Sequence, residues 1–231
     1  MQRLAIYDMD KTITRAATWT PFLRHAVRAR APWRAALLPI LAGVGFGYWA
    51  GIGDRAALKE NAQRLMIGDT VRAADLAALA DDFAGALMKT GIYPAAIARI
   101  ADDQAAGYRL VLATASFDFY VQAIAARLGF DAVIATRSVV DDQGGVRAAI
   151  AGENCYGAAK LQMIEAWLAA QGIARDAAHI RFYSDHVSDA PTLAWADEAF
   201  AVNPHPPLRA MAARRGWLVL DWGRGDGGAG R

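Results

Sequence analysis

The sequence predicts an α/β fold of the Rossmann-like kind, in which helices cover both faces of a largely parallel sheet. Short apolar segments bounded by polar or turn residues recur along the chain, and several lack the polar–apolar alternation of a half-exposed strand. Helical patterns separate these segments, as in sheets built from strand–helix–strand units. The 231 residues, 55% of them hydrophobic, suffice for one such domain with an insertion.

The individual elements follow from these patterns. Strands are predicted over six segments: 3–8, 109–115, 131–136, 180–185, 198–203 and 216–220. Helices are predicted over 117–129 and 157–172, and the Asp-Gln-Gly-Gly sequence within 138–150 predicts a β-hairpin.

The first predicted strand is followed by a long stretch of a different character. Residues 15–91 contain no convincing strand pattern, and helical spacing is clear over 73–91. We therefore expect a helical cap over 15–91, inserted into a core formed by 1–14 and 92–222. The glycine-rich tail, 223–231, is predicted to be disordered.

Cysteine content and charge limit the possible classes of protein. A single cysteine, Cys155, excludes an intrachain disulfide framework, and charges interrupt the first apolar stretch too early for a secretory signal. These features predict a cytoplasmic protein. The net charge is +2, but residues 1–60 hold nine basic and four acidic side chains, a local charge of +5.

The arginine-rich part of this region indicates an anionic partner. From Arg15 to Gly53, both included, there are five arginines and no acid, which favours phosphate, phospholipid or nucleic acid as the partner, with a solvated helix face as the plain alternative. Nucleic acid is not expected, because the basic block is short and its neighbouring aromatic residues lie in apolar sequence.

Two aspartates, Asp8 and Asp10, follow the first strand directly. Side chains two positions apart on an extended segment point the same way, and ligand sites of open α/β sheets lie at the carboxyl ends of strands. A carboxylate that attacks phosphorus needs a second group to protonate the leaving oxygen and later to activate water. The pair can divide these roles; a polar strand end is the alternative.

Three further features follow in chain order. Thr114 ends a strand, where its hydroxyl can hold a phosphoryl oxygen, and Lys160 lies in the first turn of a helix, where it can neutralise phosphate. Asp185 ends a later strand, with Asp189 four residues on. Asp185 and Asp8 together suit Mg²⁺, which prefers carboxylate oxygen and keeps water ligands, with Asp189 supporting them.

Each of these residues also has a structural interpretation. Thr114 can be an ordinary strand residue, Lys160 a solvated helix lysine, and Asp189 the N-cap of a helix that begins near Pro191. Their joint occurrence at successive elements favours a functional site. Ser116 and His186 are weaker candidates for a substrate pocket beside it.

The sequence resembles a known family at these positions. DMDKT, the strand end at Thr114, Lys160 and SDHVSD match in order the four motifs of the haloacid dehalogenase superfamily of phosphohydrolases. A helical insertion after the first motif resembles subfamily IB, which includes phosphoserine phosphatase-like and phosphatidylglycerophosphatase-like proteins. The resemblance implies a three-layer sandwich, an all-helical C1-type cap and a Mg²⁺-dependent phosphomonoester hydrolase.

The resemblance also implies a role for each residue. Asp8 would be the nucleophile that becomes an aspartyl-phosphate, and Asp10 the general acid and base. Asp8, the Asp10 backbone carbonyl and Asp185 would hold Mg²⁺, with Asp189 behind them; Thr114 and Lys160 would bind phosphate. Lys11 departs from the glycine or serine of many relatives.

The substrate remains open between a small phosphorylated metabolite and a lipid headgroup phosphate. Phosphoserine phosphatases have a glutamate soon after the first motif and a glycine-rich second motif. Here the first acid after Asp10 is Asp54, and the second motif reads Thr-Ala-Ser. Both differences weaken the interpretation as a phosphoserine phosphatase, which stays open beside a phosphatidylglycerophosphate-type lipid phosphatase docked on the membrane surface. A phosphotransferase and a non-catalytic membrane-surface binding protein are further alternatives, and the sequence does not fix the oligomeric state.

The predicted cap contains an uncharged apolar segment, 35–53. It reaches the length of about 18 residues at which a membrane span is considered. A single crossing would separate Asp8 from the other motifs, so we expect a buried hairpin within the cap. The alternative is peripheral contact at the inner membrane face, with arginines on anionic lipid and a set of aromatic residues in the headgroup region: Trp33, Phe46, Tyr48 and Trp49.

Overall fold

The computed structural model describes residues 1–49, 51 and 54–223, and their strands form one eight-stranded sheet. The strands are β1 (Gln2–Tyr7), β2 (Thr70–Arg72), β3 (Arg109–Phe117), β4 (Ala132–Val140), β5 (Gly145–Ala151), β6 (Ala178–Ser184), β7 (Glu198–Val202) and β8 (Leu218–Leu220). Their order across the sheet is β2-β5-β4-β3-β1-β6-β7-β8.

Nine α-helices are described. They are α1 (Trp19–Arg30), α2 (Leu38–Trp49), α3 (Arg55–Met66), α4 (Ala73–Thr90), α5 (Pro94–Ala105), α6 (Asp118–Leu128), α7 (Ala158–Ala170), α8 (Ala190–Trp195) and α9 (Pro206–Arg215). Short 3₁₀ helices occupy Pro32–Leu37, Arg175–Ala177 and Val187–Asp189.

The sheet is parallel around its central strand, β1. Tyr7, the last residue of β1, is in register with Leu112 of β3 on one side and with Tyr183 of β6 on the other. The chain passes from β1 to opposite sides of the sheet, so the carboxyl end of β1 lies at a topological switch point, where α/β sheets bind ligands. Asp8, Thr114 and Asp185 therefore share one edge of the sheet.

The predicted elements agree closely with the structure, apart from one strand. All six predicted strands, the hairpin and the predicted helices are present. Within 15–91, however, β2 pairs antiparallel with β5, so the predicted cap region is not entirely helical. A strand of three residues is too short to show a period of two, and the cross-strand partner that stabilises it lies far away in sequence.

The hydrophobic core lies on both faces of the sheet, which gives the expected three layers. Alternate residues of β1 contribute to opposite clusters: Tyr7 packs with α4, α5 and α6, whereas Ile6 packs with α7, α8 and α9. The first cluster continues into Phe22 of α1 and Phe83 of α4. The division into core and cap remains a prediction.

The apolar segment does not form the expected buried hairpin over its described part. It continues from the 3₁₀ helix into α2, where Ile40 is 54%, Phe46 67% and Trp49 80% exposed. Because α2 is apolar around its whole circumference, packing one side against the cluster around Ala62 leaves the other sides at the surface. Ala50, Ile52 and Gly53 lie outside the described residues, as do 224–231 of the predicted tail. Of the helices described, none has the length and apolar character needed to span a bilayer.

Candidate active site

Both carboxylate oxygens of Asp8 are held by hydrogen bonds. Lys160 Nζ donates to Oδ1 at 2.8 Å, and Thr12 Oγ1 donates to Oδ2 at 3.0 Å. Asp8 is 7% exposed and follows the last residue of β1. Its carboxylate is therefore fixed at the edge of the sheet, next to a buried cation.

Lys160 is shared between two carboxylates. Its Nζ also donates to Asp189 Oδ2 at 2.6 Å, and Ser184 Oγ donates to the same oxygen at 2.7 Å. Burial lowers the pKa of Lys160, but the charges of Asp189 and Asp8 outweigh it and raise the pKa overall. Lys160 is consequently cationic, and the contacts of Asp189 position this lysine.

Thr12 connects the first and the last motif. The Asp185 backbone N–H donates to Thr12 Oγ1 at 3.1 Å, while the Thr12 hydroxyl donates to Asp8. His205 supports the same loop, since its Nδ1 lies 3.0 Å from the Asp185 carbonyl oxygen. Neither Thr12 nor His205 was predicted as a site residue. For Thr12, its position within DMDKT could have indicated a role.

Asp8 and Asp185 have the character of cation ligands. Burial raises the pKa of Asp8 to about 6 and that of Asp185 to about 7, and neighbouring carboxylates add to both increases. A divalent cation would reverse this, because it stabilises the ionised form of both. In the described part of the chain no three His, Cys, Asp or Glu side chains gather as a metal site. Two carboxylates still fit Mg²⁺, which takes its remaining ligands from water and phosphate.

Asp10 is held apart from Lys160, in hydrogen bonds to neutral groups. The Thr18 backbone N–H and hydroxyl donate to Oδ1 at 2.8 and 2.7 Å, and Ser116 Oγ donates to Oδ2 at 2.9 Å. Thr18 in turn contacts the Tyr120 hydroxyl at 2.9 Å. Two aspartates two residues apart thus occupy different environments, as separate chemical roles require. Thr18 was not predicted, because threonines are common and its role depends on the turn that returns it to Asp10.

Ser116 joins Thr114 to this part of the site. Its backbone N–H donates to Thr114 Oγ1 at 3.1 Å, which leaves the proton of the Thr114 hydroxyl available to a ligand oxygen. His186 lies to the side: its ring contacts Ser188 Oγ and stacks on His205 with centroids 4.2 Å apart. Burial and His205 lower the pKa of His186.

The backbone of Lys11 adopts a conformation that suits the glycine of many relatives better than a lysine. Its φ is 62°, the left-handed region that glycine adopts with the least strain. The side chain is exposed, and its charge lowers the pKa of Asp185 against the larger effect of burial. Lys11 therefore occupies a glycine-type turn position and adds positive charge near the carboxylates.

Lys59 is a second buried lysine, which the sequence did not reveal. It extends from α3 and donates to the Ala115 carbonyl oxygen at 2.6 Å and to Asn154 Oδ1 at 2.9 Å. Ala115 lies between Thr114 and Ser116, so a side chain of the predicted cap is anchored at the second motif. Lysines in amphipathic helices normally lie at the surface, so the burial of Lys59 was not predicted from the sequence.

A cavity of about 670 Å³ opens beside Asp10 and Ser116. Its other walls come from the predicted cap region, from α1, α2 and α3. Among the described residues, His186 is not part of its lining, whereas Ser116 is. The structure thus assigns the two weaker pocket candidates to different places.

Comparisons with known proteins agree with the motifs. The family model described as haloacid dehalogenase-like hydrolase matches residues 5–194. A probable phosphatase from Mycobacterium tuberculosis is 36% identical over 125 residues, 54% of this chain and 42% of that protein. Phosphoserine phosphatase SerB1 from the same species is 26% identical over 222 residues, 94% of this chain and 70% of that protein.

A solved structure shares the fold over almost the whole chain. A protein of unknown function from Bordetella pertussis Tohama I matches with a TM-score of 0.86 and 28% identity, covering 96% of this chain and 99% of that one. By contrast, the chain spans less than half the length of the first curated relatives that it matches, 47% and 42%.

Proposed function

Because the chain belongs to the haloacid dehalogenase-like hydrolases, we propose that it is a Mg²⁺-dependent phosphomonoester hydrolase that works through an aspartyl-phosphate on Asp8. The observation that carries this proposal is the separation of the two aspartates. Asp8 is bound to a buried cation, Lys160, whereas Asp10 is bound to the neutral hydroxyls of Thr18 and Ser116.

The proposed reaction has two steps. An Asp8 carboxylate oxygen attacks phosphorus, the bond from phosphorus to the alcohol oxygen breaks, and Asp10 gives its proton to the departing alkoxide. Asp10, now ionised, then accepts a proton from water as that water attacks the phosphorus of the aspartyl-phosphate. Phosphate leaves, Asp8 is regenerated, and Asp10 is protonated again.

The remaining residues hold the phosphoryl group and balance its charge. Lys160 would offset the negative charge that Asp8 and the phosphoryl oxygens bring together, and the Thr114 hydroxyl would donate to one of those oxygens. Mg²⁺, held by the Asp8 and Asp185 carboxylates and the Asp10 carbonyl, would supply further positive charge at the phosphoryl oxygens. Asp189 contributes by fixing Lys160.

The Asp8→Asn variant tests the nucleophile. We expect it to release no phosphate from p-nitrophenyl phosphate while unfolding as cooperatively as the parent chain. Asp102→Asn, an exposed aspartate on α5, is the matched control and should remain active. Turnover by Asp8→Asn would refute the covalent mechanism.

The Asp10→Asn variant tests the division of roles. With a good leaving group it should still form the aspartyl-phosphate but hydrolyse it about 10²–10⁴-fold more slowly, the usual contribution of general acid–base catalysis. Acid-stable labelling from radioactive substrate should therefore be strong in Asp10→Asn and absent in Asp8→Asn. Added alcohols would reveal phosphotransfer if a new phosphate ester forms.

The exposed face of α2 favours one addition, peripheral contact with an anionic membrane. Its large apolar side chains adjoin a segment with five arginines and no acid, which suits an interfacial surface. We expect sedimentation with anionic but not neutral vesicles, weakened by Phe46→Ser. Ile97→Ser, at an exposed residue of α5, should have no effect. Equal sedimentation of both variants would exclude this surface.

A further inference from the structure

The cavity beside Asp10 is apolar over most of its surface. Each of three helices contributes aliphatic or aromatic side chains: Trp19, Leu23 and Val27 of α1, Leu38 and Leu41 of α2, and Leu58, Ala62 and Met66 of α3. Its volume, about 670 Å³, lies within the ~300–1,000 Å³ of typical ligand sites. Apolar walls of this extent favour a ligand with a substantial hydrocarbon part.

Four basic side chains also line the cavity, Arg24, Arg28, Arg55 and Lys59, and such a lining argues against a leaving group that carries an ammonium. Asp10 is the one acid among the described lining residues, and both its carboxylate oxygens already accept hydrogen bonds. Asp54, the first acid beyond it in the chain, is exposed and caps α3 by accepting from the Ala57 N–H at 2.8 Å. A substrate ammonium would therefore meet four basic side chains and, in the described lining, no carboxylate besides Asp10.

The position of Asp10 determines which part of a substrate reaches the cavity. In the proposed reaction Asp10 protonates the oxygen of the leaving alcohol, so that alcohol lies next to Asp10 when its bond to phosphorus breaks. The cavity begins at Asp10 and Ser116 and continues between α1, α2 and α3. The alcohol carbon chain therefore extends from the phosphate site into the apolar part.

We propose that this cavity binds the leaving group of the substrate, and that the substrate is a phosphate monoester of a long-chain apolar alcohol. This inference rests on the proposed phosphatase function. The polar phosphate remains at the sheet edge, while the hydrocarbon chain is removed from water by the three helices. Selectivity among alcohols then comes from chain length.

Gly45 of α2 provides a specific means of testing the inference. It lines the cavity, and a Cβ built at this position meets nothing within 4 Å. A larger side chain can thus enter the cavity without a backbone clash, and replacing glycine within a helix favours folding by up to about 1 kcal/mol. Gly43 is the matched control: it lies on the same helix, also has open space at Cβ, and is not in the lining.

The first measurement is a chain-length series. Ethyl, butyl, hexyl and octyl phosphate are compared below their micelle-forming concentrations by phosphate release. A fully buried methylene is worth about fourfold, so we expect kcat/KM to rise at least about 30-fold from ethyl to octyl phosphate. A flat series with measurable turnover would overturn the inference and leave the phosphatase assignment intact.

The second measurement compares the two glycine variants. Gly45→Phe should lower kcat/KM for octyl phosphate about tenfold or more, by displacing roughly two methylenes, with little change for ethyl phosphate. Gly43→Phe should behave as the parent chain with both. Equal behaviour of the two variants on octyl phosphate would overturn the assignment of the cavity.

Binding of alkyl phosphonates separates the inference from the catalytic proposal. Calorimetry with octylphosphonate and ethylphosphonate needs no turnover, and we expect detectable affinity for octylphosphonate that Gly45→Phe weakens. If no ester is hydrolysed but this chain-length dependence persists, the proposed function fails and the cavity assignment stands. If the two phosphonates bind alike, the cavity assignment fails whatever the catalytic result.

Discussion

Replacing Lys160 with methionine should destabilise the protein strongly, and more at high pH than at low pH. Lys160 is 2% exposed and makes short contacts to two buried carboxylates, at 2.8 Å to Asp8 and 2.6 Å to Asp189. Methionine fills much of the same space without the charge. Both carboxylates then remain buried with no counter-charge.

The magnitude follows from the cost of breaking a buried ion pair. Removing one partner typically costs about 3–5 kcal/mol, because the other charge is left uncompensated. At roughly 2–4 °C per kcal/mol for a chain of this size, Lys160→Met should lower Tm by about 6–20 °C. Lys160→Met/Asp189→Asn removes one of the two uncompensated charges, so it should recover about half of the loss.

The pH dependence has a definite sign. Even with Lys160 present, burial raises the pKa of Asp8 to about 6, above its ordinary value of 3.8. A carboxyl whose pKa is raised on folding stabilises the native state at low pH and loses that contribution as pH rises through the folded value. Loss of Lys160 raises the pKa further, so the defect of Lys160→Met should be largest near pH 8 and shrink towards pH 5.

These predictions are tested by urea unfolding of the parent chain, Lys160→Met and the double variant at pH 5, 6.5 and 8. The measurement gives the loss of unfolding free energy, its recovery in the double variant and its dependence on pH. The double variant is the matched control, because it carries the same methionine. A pH-independent defect would mean that lost packing, not charge, dominates. A Lys160→Met variant as stable as the parent at pH 8 would refute the ion-pair argument.

Three further predictions follow from other residues. Without a cation, the raised pKa values of Asp8, about 6, and Asp185, about 7, disfavour ionisation of both carboxyls. The increase in Tm that Mg²⁺ causes relative to a chelator should therefore grow between pH 5.5 and 8. Equal increases at the two pH values would contradict this. Lys11→Gly should raise the free energy of unfolding in urea by up to about 1 kcal/mol. It removes ~1–2 kcal/mol of left-handed backbone strain at the cost of ~0.5–1 kcal/mol of backbone entropy. Lys11→Ala keeps the strain and should show no gain in stability. Asp103→Asn should lower the free energy of unfolding by about 3 kcal/mol, because this fully buried carboxylate pairs with Arg181 and accepts a hydrogen bond from Tyr183. A decrease in Tm of less than about 2 °C would be inconsistent with that network.

The sheet and the edge that carries the candidate site were largely predictable from the sequence. Buried parallel strands are continuous apolar runs, and an acidic residue directly after such a run marks its end, so Asp8 and Asp185 indicated both an element boundary and a candidate site. Thr114 and Lys160 followed at successive elements. Because the carboxyl ends of parallel strands meet at one edge of the sheet, these residues could be placed together before any side-chain contact was known.

The parts that were missed depend on contacts between distant residues. β2 exists because β5 offers a partner, and Lys59 is buried because α3 packs beside the second motif. Thr18 reaches Asp10 only through the turn between them. The exposure of α2 was not predictable either, because an apolar helix shows no preferred face from which its orientation could be read.

The anchoring of Lys59 has a consequence for turnover. Separation of α3 from the end of β3 breaks the hydrogen bonds from its Nζ to Ala115 and Asn154, which contribute about 1 kcal/mol each to the closed form. A product alcohol that leaves between these elements would need that opening, so its release would include a conformational step.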